Sequence, residues 1–121
     1  KLHARLRAWP RSAQNDPFYA ASLAMADELS TAAGCPVIVG FNEFCSPSLD
    51  EALDAAVAEG ATRVVVLTPM MTRGGEHAEQ DIPAAIEQAR QRHPQAKIVY
   101  AWPFEPQRVA QFLAEQARQY F

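Results

Sequence analysis

Three short apolar runs constrain the fold of this chain more than any other feature of its sequence. Each contains β-branched or aromatic residues and is bounded by turn-forming residues, and the runs occupy residues 36–41, 63–69 and 97–102. Continuous apolar runs of this length are typical of strands buried on both faces in a parallel sheet. In a sheet with one solvent-exposed face, apolar and polar residues alternate along each strand instead. The sequence therefore predicts three buried parallel strands.

Helical patterns flank and separate the predicted strands. They begin near residues 18, 48, 81 and 106, and the first of them ends at residue 33. Gly34 supplies a natural end to the first helix, and Gly60 does the same for the second. Ser48, with Glu51 three residues later, has the spacing of a capping box at the start of the second helix.

Helices and strands that alternate in this way form an open parallel sheet with helices on both faces, joined by right-handed crossovers. We expect an α/β fold with about four strands and flavodoxin-like layering, in a single domain over residues 1–121. In this fold Lys1 and Leu2 are the tail of a first strand that is truncated or irregular. Such sheets bind ligands beyond the carboxyl ends of their strands.

The composition excludes several classes of function. Eleven Lys and Arg residues against fourteen Asp and Glu residues give a net charge of −3, which provides no general attraction for nucleic acid or an anionic membrane. No apolar stretch approaches the roughly 20 residues of a bilayer span, and residues 1–5 lack the apolar block of a secretory signal. We therefore expect a cytoplasmic protein in which Cys35 and Cys45 are reduced thiols.

The most informative segment follows the second predicted strand. It turns through Gly74 and Gly75 and presents Arg73, Glu76 and His77 before the next helix. A neutral imidazole there can bind a divalent metal or take a proton near neutral pH, and the alternative for His77 is a solvated or capping side chain. The glycines match neither GxGxxG nor GxxxxGK[ST], and no GxSxG motif is present, so we predict neither a nucleotide site nor acyl-transfer hydrolysis.

Two further candidates follow other predicted strands. Glu43 comes after the first apolar run, where a carboxylate can ligate a metal, accept a proton or orient a histidine. Its alternative roles are a turn cap or an ion pair with Arg73. His3 stands at the end of the shortened first strand. His93 lies near a helix C-terminus, where a favourable dipole interaction explains it and no functional role is predicted.

Three motifs carry a resemblance to a known family. They are Phe-Asn-Glu-Phe-Cys-Ser-Pro-Ser-Leu at residues 41–49, Gly-Gly-Glu-His and then Asp-Ile-Pro within residues 64–83, and Tyr-Ala-Trp-Pro-Phe at residues 100–104. With them, residues 40–114 resemble the small CbiX-type sirohydrochlorin chelatases, whose members insert cobalt, iron or nickel into sirohydrochlorin. The family's first strand usually ends in His-Gly-Ser, for which this chain offers only His3 in Leu-His-Ala-Arg.

The resemblance implies roles for individual residues. It makes His77 a metal ligand, Glu43 a substrate or metal contact, and His3 the second metal ligand and the base, so that all three are catalytic. The residues it implies beside the macrocycle, besides Glu43, are Met71, Thr72, Arg73, Gly74, Gly75 and Glu76.

The chemistry of metal insertion fits these residue types. The reaction requires a site that holds a labile divalent ion and takes up the pyrrole protons, and imidazole and carboxylate do both. Cobalt(II), iron(II) and nickel(II) all suit such ligands, and the metal is a substrate, with no nucleotide cofactor. Because sirohydrochlorin is flat and rich in carboxylates, we expect an apolar slot from Met70, Met71 and Phe44 with a basic rim from Arg73.

Three interpretations compete at this point. The leading one is a sirohydrochlorin chelatase, and the alternative is a non-catalytic module of the same fold that binds a tetrapyrrole or a metal. A weaker third interpretation is a regulatory domain that binds an anion at residues 72–75. Because a chain of 121 residues is small for enclosing a tetrapyrrole, we also expect a homodimer, with no nucleic-acid or membrane partner.

Overall fold

The computed structural model describes residues 17–41 and 46–121, which form helices and two strands in the predicted order. The elements are α1 (Pro17–Ala33), α2 (Leu49–Ala58), β1 (Arg63–Val66), a π-helical turn (His77–Asp81), α3 (Ile82–Arg92), β2 (Lys97–Tyr100) and α4 (Pro106–Arg118). They belong to two compact units, which divide between Ala61 and Thr62. Among the described helices, none combines the length and the hydropathy of a membrane span.

The second unit contains a parallel pair of strands, as predicted for an α/β fold. The register places Val64 of β1 opposite Ile98 of β2, and Val66 opposite Tyr100. One further hydrogen bond follows the ladder, since the Ala101 N–H donates to the Val66 carbonyl at 2.9 Å. α3 packs against β2. The buried apolar residues of this unit are Val66, Ala78, Ile82, Ile86, Ala89, Ile98 and Val109.

β1 is covered on one face in the described structure. Val66 and Thr68 are 8% and 5% exposed, whereas Val65 and Leu67 are 56% and 48% exposed. Successive side chains of a strand point to opposite faces, so this alternation separates a covered face from an open one. The prediction of burial on both faces is therefore wrong for β1 within the described residues. Consecutive β-branched residues favour a strand, but they do not require a cover on each side.

Residues 36–40 form no strand in the structure, which corrects the first predicted strand. The backbone of Phe41 hydrogen-bonds locally instead, since its N–H donates to the Pro47 carbonyl at 2.8 Å and its carbonyl accepts from the Leu49 N–H at 3.0 Å. Gly40 lies so near α2 that a Cβ there would be 3.0 Å from the Leu49 Cα. An apolar run favours an extended segment, but a strand also needs a hydrogen-bonding neighbour that the run does not specify.

The first unit contains α1 and α2. The Phe41 ring lies 5.9 Å from the rings of both Phe18 and Tyr19, which anchors the start of α1 to this segment. The predicted capping box of α2 is confirmed. The Ser48 Oγ accepts from the Glu51 N–H at 3.1 Å, and the Ser48 N–H donates to the Glu51 Oε1 at 2.8 Å.

Tyr100 connects β2 to the π-helical turn. Its hydroxyl donates a hydrogen bond to the Ala78 carbonyl at 2.8 Å, and Ala78 is fully buried. Burial, followed by the negative charge of Glu79, raises the pKa of Tyr100 above its ordinary value of 10.0. Because folding favours the protonated phenol, this contribution to stability is fully present below the unfolded pKa and is lost as pH rises through the folded pKa.

Replacing Tyr100 by Phe should lower the free energy of unfolding by about 1 kcal/mol at pH 7, because the buried Ala78 carbonyl loses its donor. The difference from the parent protein should shrink as pH rises from about 10, the ordinary tyrosine pKa, through the raised pKa of Tyr100, because deprotonation then removes the same donor from the parent. Chemical unfolding over a series of pH values measures both effects. Tyr120→Phe is the matched control, since Tyr120 is 80% exposed. Equal losses in the two variants would contradict this role of Tyr100.

Candidate functional site

His77 opens the π-helical turn that leads into α3. The Ile82 N–H donates to the His77 carbonyl, five residues back, and such wide turns are frequent at functional sites. The His77 side chain is 41% exposed, and its Nδ1 lies 3.4 Å from the Oδ2 of Asp81. A carboxylate at Nδ1 orients the ring and favours the tautomer that leaves Nε2 available to a metal or a proton.

A glycine turn at residues 72–75 precedes His77 in the same loop. Gly74 has a φ of +100°, a left-handed conformation that residues with a Cβ rarely adopt. The Gly75 carbonyl accepts a hydrogen bond from the Glu79 N–H at 3.0 Å, which joins the glycine turn to the π-helical turn. The segment that leaves the carboxyl end of β1 therefore brings these glycines and His77 together, as the sequence predicts.

Glu79 holds the glycine turn through its side chain. Its Oε1 accepts from the Nε and Nη2 of Arg73 at 3.0 and 2.6 Å, and its Oε2 accepts from the Gly74 N–H. The Arg73 side chain is 64% exposed and that of Glu79 is 25% exposed. The hydrogen bonds from Arg73 and Gly74 lower the pKa of Glu79 below its ordinary value of 4.5, against an opposing effect of desolvation.

Sequence reasoning missed Glu79. The ion-pair partner that it offers for Arg73 is Glu43, which lies outside the described residues, and the structure shows a pair between Arg73 and Glu79. Glu79 lies six positions after Arg73, beyond the i, i+3 and i, i+4 spacings at which helical side chains meet, so no helical pattern connects them. The one available signal is that an acidic residue stands within reach of the glycine turn, between His77 and Asp81.

Three aromatic side chains follow one another at the carboxyl end of β2. The rings of Tyr100 and Trp102 stack at 5.8 Å with an interplanar angle of 10°, and the rings of Trp102 and Phe104 meet edge to face at 6.0 Å. The Trp102 side chain also helps to lower the pKa of Glu79, after the larger effects of Arg73 and Gly74. The third family motif therefore supports the π-helical turn from the side of β2, a role that the sequence does not reveal.

The structure describes the part of the predicted site that lies between β1 and α3. Met71 is half-buried, Met70 is 40% exposed, and Thr72, Arg73, Gly74, Gly75 and Glu76 are exposed. The Met70 N–H donates to the Oγ1 of the buried Thr68 at 3.2 Å, which fixes the start of this segment.

The other predicted site residues, His3, Glu43 and Phe44, lie outside the described residues. Within residues 17–41 and 46–121, no three His, Cys, Asp or Glu side chains are grouped closely enough to hold a metal ion. His77, with Asp81 at its Nδ1, is therefore the metal-ligating candidate that the structure describes.

Comparison with known proteins gives one consistent match. The family model named CbiX matches residues 13–120. A sirohydrochlorin ferrochelatase of Priestia megaterium is 33% identical over 79 residues, 64% of this chain and 29% of its own length. A sirohydrochlorin cobaltochelatase of the same species is 40% identical over 63 residues, 52% of this chain and 20% of its own length.

A solved structure has the same fold as part of this chain. It is the sirohydrochlorin chelatase SirB from Bacillus subtilis subspecies spizizenii in complex with cobalt, with a TM-score of 0.57 and 31% sequence identity. The match covers 68% of this chain and 36% of the SirB chain. The matched segments thus make up between 20% and 36% of the length of these three proteins.

The two glycines of the turn should respond differently to a methyl group. Gly74→Ala should lower the free energy of unfolding by about 1–2 kcal/mol, because the left-handed backbone strains a residue with a Cβ. Gly75→Ala is the matched control, since its φ lies outside that region and no atom lies within 4 Å of the added Cβ. Chemical unfolding of both variants measures the difference. Equal effects would show that the Gly74 conformation does not matter to the turn.

Proposed function

Because the chain belongs to the CbiX family, we propose that it is a metal chelatase that inserts a divalent metal into sirohydrochlorin. The observation that carries the proposal is the position of His77, whose imidazole is 41% exposed and has Asp81 at its Nδ1 beside the glycine turn. This is the arrangement that a transient metal ligand requires, because one ring nitrogen is oriented and the other is available.

His77 is proposed to hold the metal before its insertion. Imidazole suits cobalt(II), iron(II) and nickel(II), and the names of the relatives support cobalt and iron. A site with few protein ligands binds weakly enough to release the ion to the macrocycle. His3 remains our predicted second ligand and the predicted base that takes up pyrrole protons, and Glu43 our predicted substrate or metal contact.

Arg73 and the residues beside it are proposed to bind the macrocycle. Glu79 accepts from Nε and Nη2 of Arg73, so the Nη1 of this guanidinium remains available to a substrate carboxylate. Met70 and Met71 offer polarizable, adaptable side chains next to it, which suits a flat conjugated ligand. Phe44 and Glu43 complete this predicted wall.

The wider architecture is also proposed from the family. We propose a sheet of about four strands within a single domain over residues 1–121. The parallel pair β1–β2 and the likeness to SirB support its α/β character. The cytoplasm remains the predicted location.

His77→Ala should slow metallation of sirohydrochlorin by about tenfold or more, because the ion loses a protein ligand. The assay mixes the protein with cobalt(II) or iron(II) and follows the absorption change of sirohydrochlorin against the spontaneous rate. His93→Ala is the matched control, because His93 ends α3 and lies outside the proposed site. A His77→Ala protein as fast as the parent would remove His77 from the mechanism.

The same assay separates the proposal from its alternative. Binding of sirohydrochlorin or cobalt(II) by the parent protein, with no metallation above the spontaneous rate, would indicate a non-catalytic binding module. Binding of inorganic phosphate at the glycine turn without affinity for sirohydrochlorin would instead favour the anion-binding regulatory domain.

We also propose that the protein acts as a homodimer, with α4 in the interface. Val109, Phe112 and Leu113 share one helix face, but only Val109 is buried, while Phe112 and Leu113 are 58% and 54% exposed. Exposed apolar side chains on a common face are typical of an association surface. A second copy would cover this face and supply the other wall for a large substrate.

Phe112→Glu should convert the dimer to a monomer, because it places a charge in the proposed interface. Sedimentation equilibrium at micromolar concentration measures the mass of each protein. Gln111→Glu is the matched control, since it adds the same charge on the opposite side of α4. A parent protein that sediments only as a monomer would contradict the proposed dimer.

A further inference from the structure

Glu79 occupies a position in the fold that its sequence neighbours do not suggest. It lies in the π-helical turn two residues after His77, yet its carboxylate reaches back to Arg73 and Gly74 in the glycine turn. The backbone reinforces this connection, because the Glu79 N–H donates to the Gly75 carbonyl at 3.0 Å. Both the side chain and the main chain of one residue thus close the loop from Arg73 to Glu79.

β2 also supports the π-helical turn that contains Glu79. The Tyr100 hydroxyl donates to the carbonyl of Ala78, the residue just before Glu79, at 2.8 Å. Trp102 stacks on Tyr100 at 5.8 Å, next to this hydrogen bond. The turn that carries His77 is therefore held by the strand, and the glycine turn is held by Glu79.

An exposed ion pair alone does not explain this arrangement. Arg73 is 64% exposed, and an ion pair so open to solvent adds little to stability. The geometry has a more specific consequence. The Glu79 Oε1 accepts hydrogen bonds from both Nε and Nη2 of Arg73, which restricts the orientation of the guanidinium plane. An orientation that is set before binding reduces the entropy lost when a ligand carboxylate meets Arg73.

We propose that Glu79 is a positioning residue of the site: it sets the Arg73 guanidinium and the glycine turn relative to His77, ready for the peripheral carboxylates of the macrocycle. The inference rests on the proposed function and deepens it, since it names the residue that prepares the substrate-binding side of the turn. Contacts to peripheral carboxylates are the same in the ground state and the transition state, so Glu79 acts on KM for the tetrapyrrole rather than on kcat.

Steady-state metallation with cobalt(II) tests this role in Glu79→Ala, Glu79→Gln, Arg73→Ala and the double variant Arg73→Ala/Glu79→Ala. Glu79→Ala should raise KM for sirohydrochlorin by about tenfold, with kcat changed by less than about threefold. Glu79→Gln keeps one acceptor oxygen and should fall between Glu79→Ala and the parent. The double variant should be no worse than Arg73→Ala alone, because Glu79 acts through Arg73.

A second measurement needs no substrate. The exchange of the Gly74 amide hydrogen, followed by nuclear magnetic resonance, should become about tenfold faster in Glu79→Ala, because the carboxylate that accepts the Gly74 N–H is removed. Glu87→Gln removes the same charge from α3, where Glu87 lies 3.5 Å from Arg90, and should alter neither KM nor the Gly74 exchange. Thermal unfolding checks that each variant is folded under the assay conditions.

The outcomes separate failure of this inference from failure of the proposed function. An unchanged KM in Glu79→Ala, measured beside an active parent protein, would overturn the positioning role. A double variant whose increase in KM equals the product of the Arg73→Ala and Glu79→Ala increases would also overturn it. Unchanged Gly74 exchange would overturn the hydrogen-bonded arrangement itself. A parent protein that metallates nothing contradicts the proposed function, and the exchange measurement still decides whether Glu79 holds the turn.

Discussion

The hydrogen bond from the Tyr100 hydroxyl to the Ala78 carbonyl is the interaction on which the described site depends. Ala78 is fully buried inside a π-helical turn, and a buried carbonyl without a donor is costly. Tyr100 supplies the donor from β2, which the register with β1 and the packing of α3 hold in place. His77 is the residue before Ala78, so the parallel strand pair positions His77 through the Tyr100 side chain.

Two carboxylates of the site follow this buried contact in the chain. Glu79 follows Ala78 and accepts hydrogen bonds from Arg73 and Gly74, while Asp81 lies at the Nδ1 of His77. One carboxylate therefore orients a guanidinium and the other orients an imidazole. This division suits the proposed reaction, in which a polyanionic macrocycle and a metal cation would be held side by side, because each ligand would meet a side chain of suitable chemistry.

Local sequence patterns predicted the elements whose determinants are themselves local. The Ser48–Glu51 capping box, the end of α1 before Gly34 and the turn through Gly74 all depend on residues within a few positions of one another. The same patterns failed at residues 36–40. There the outcome depends on which backbone groups form hydrogen bonds with Phe41, and an apolar run does not specify that partner.

The sequence by itself determined the α/β alternation, the two strands that pair, and the glycine turn followed by His77, because hydrophobic runs, caps and glycines act over short distances. It also carried the motifs of the CbiX family. Only the tertiary structure decided that Arg73 pairs with Glu79, that Tyr100 reaches Ala78, and that β1 is open on one face in the described residues. Those features arise when segments distant in sequence or without periodic spacing come together, so their partners are set by packing rather than by pattern.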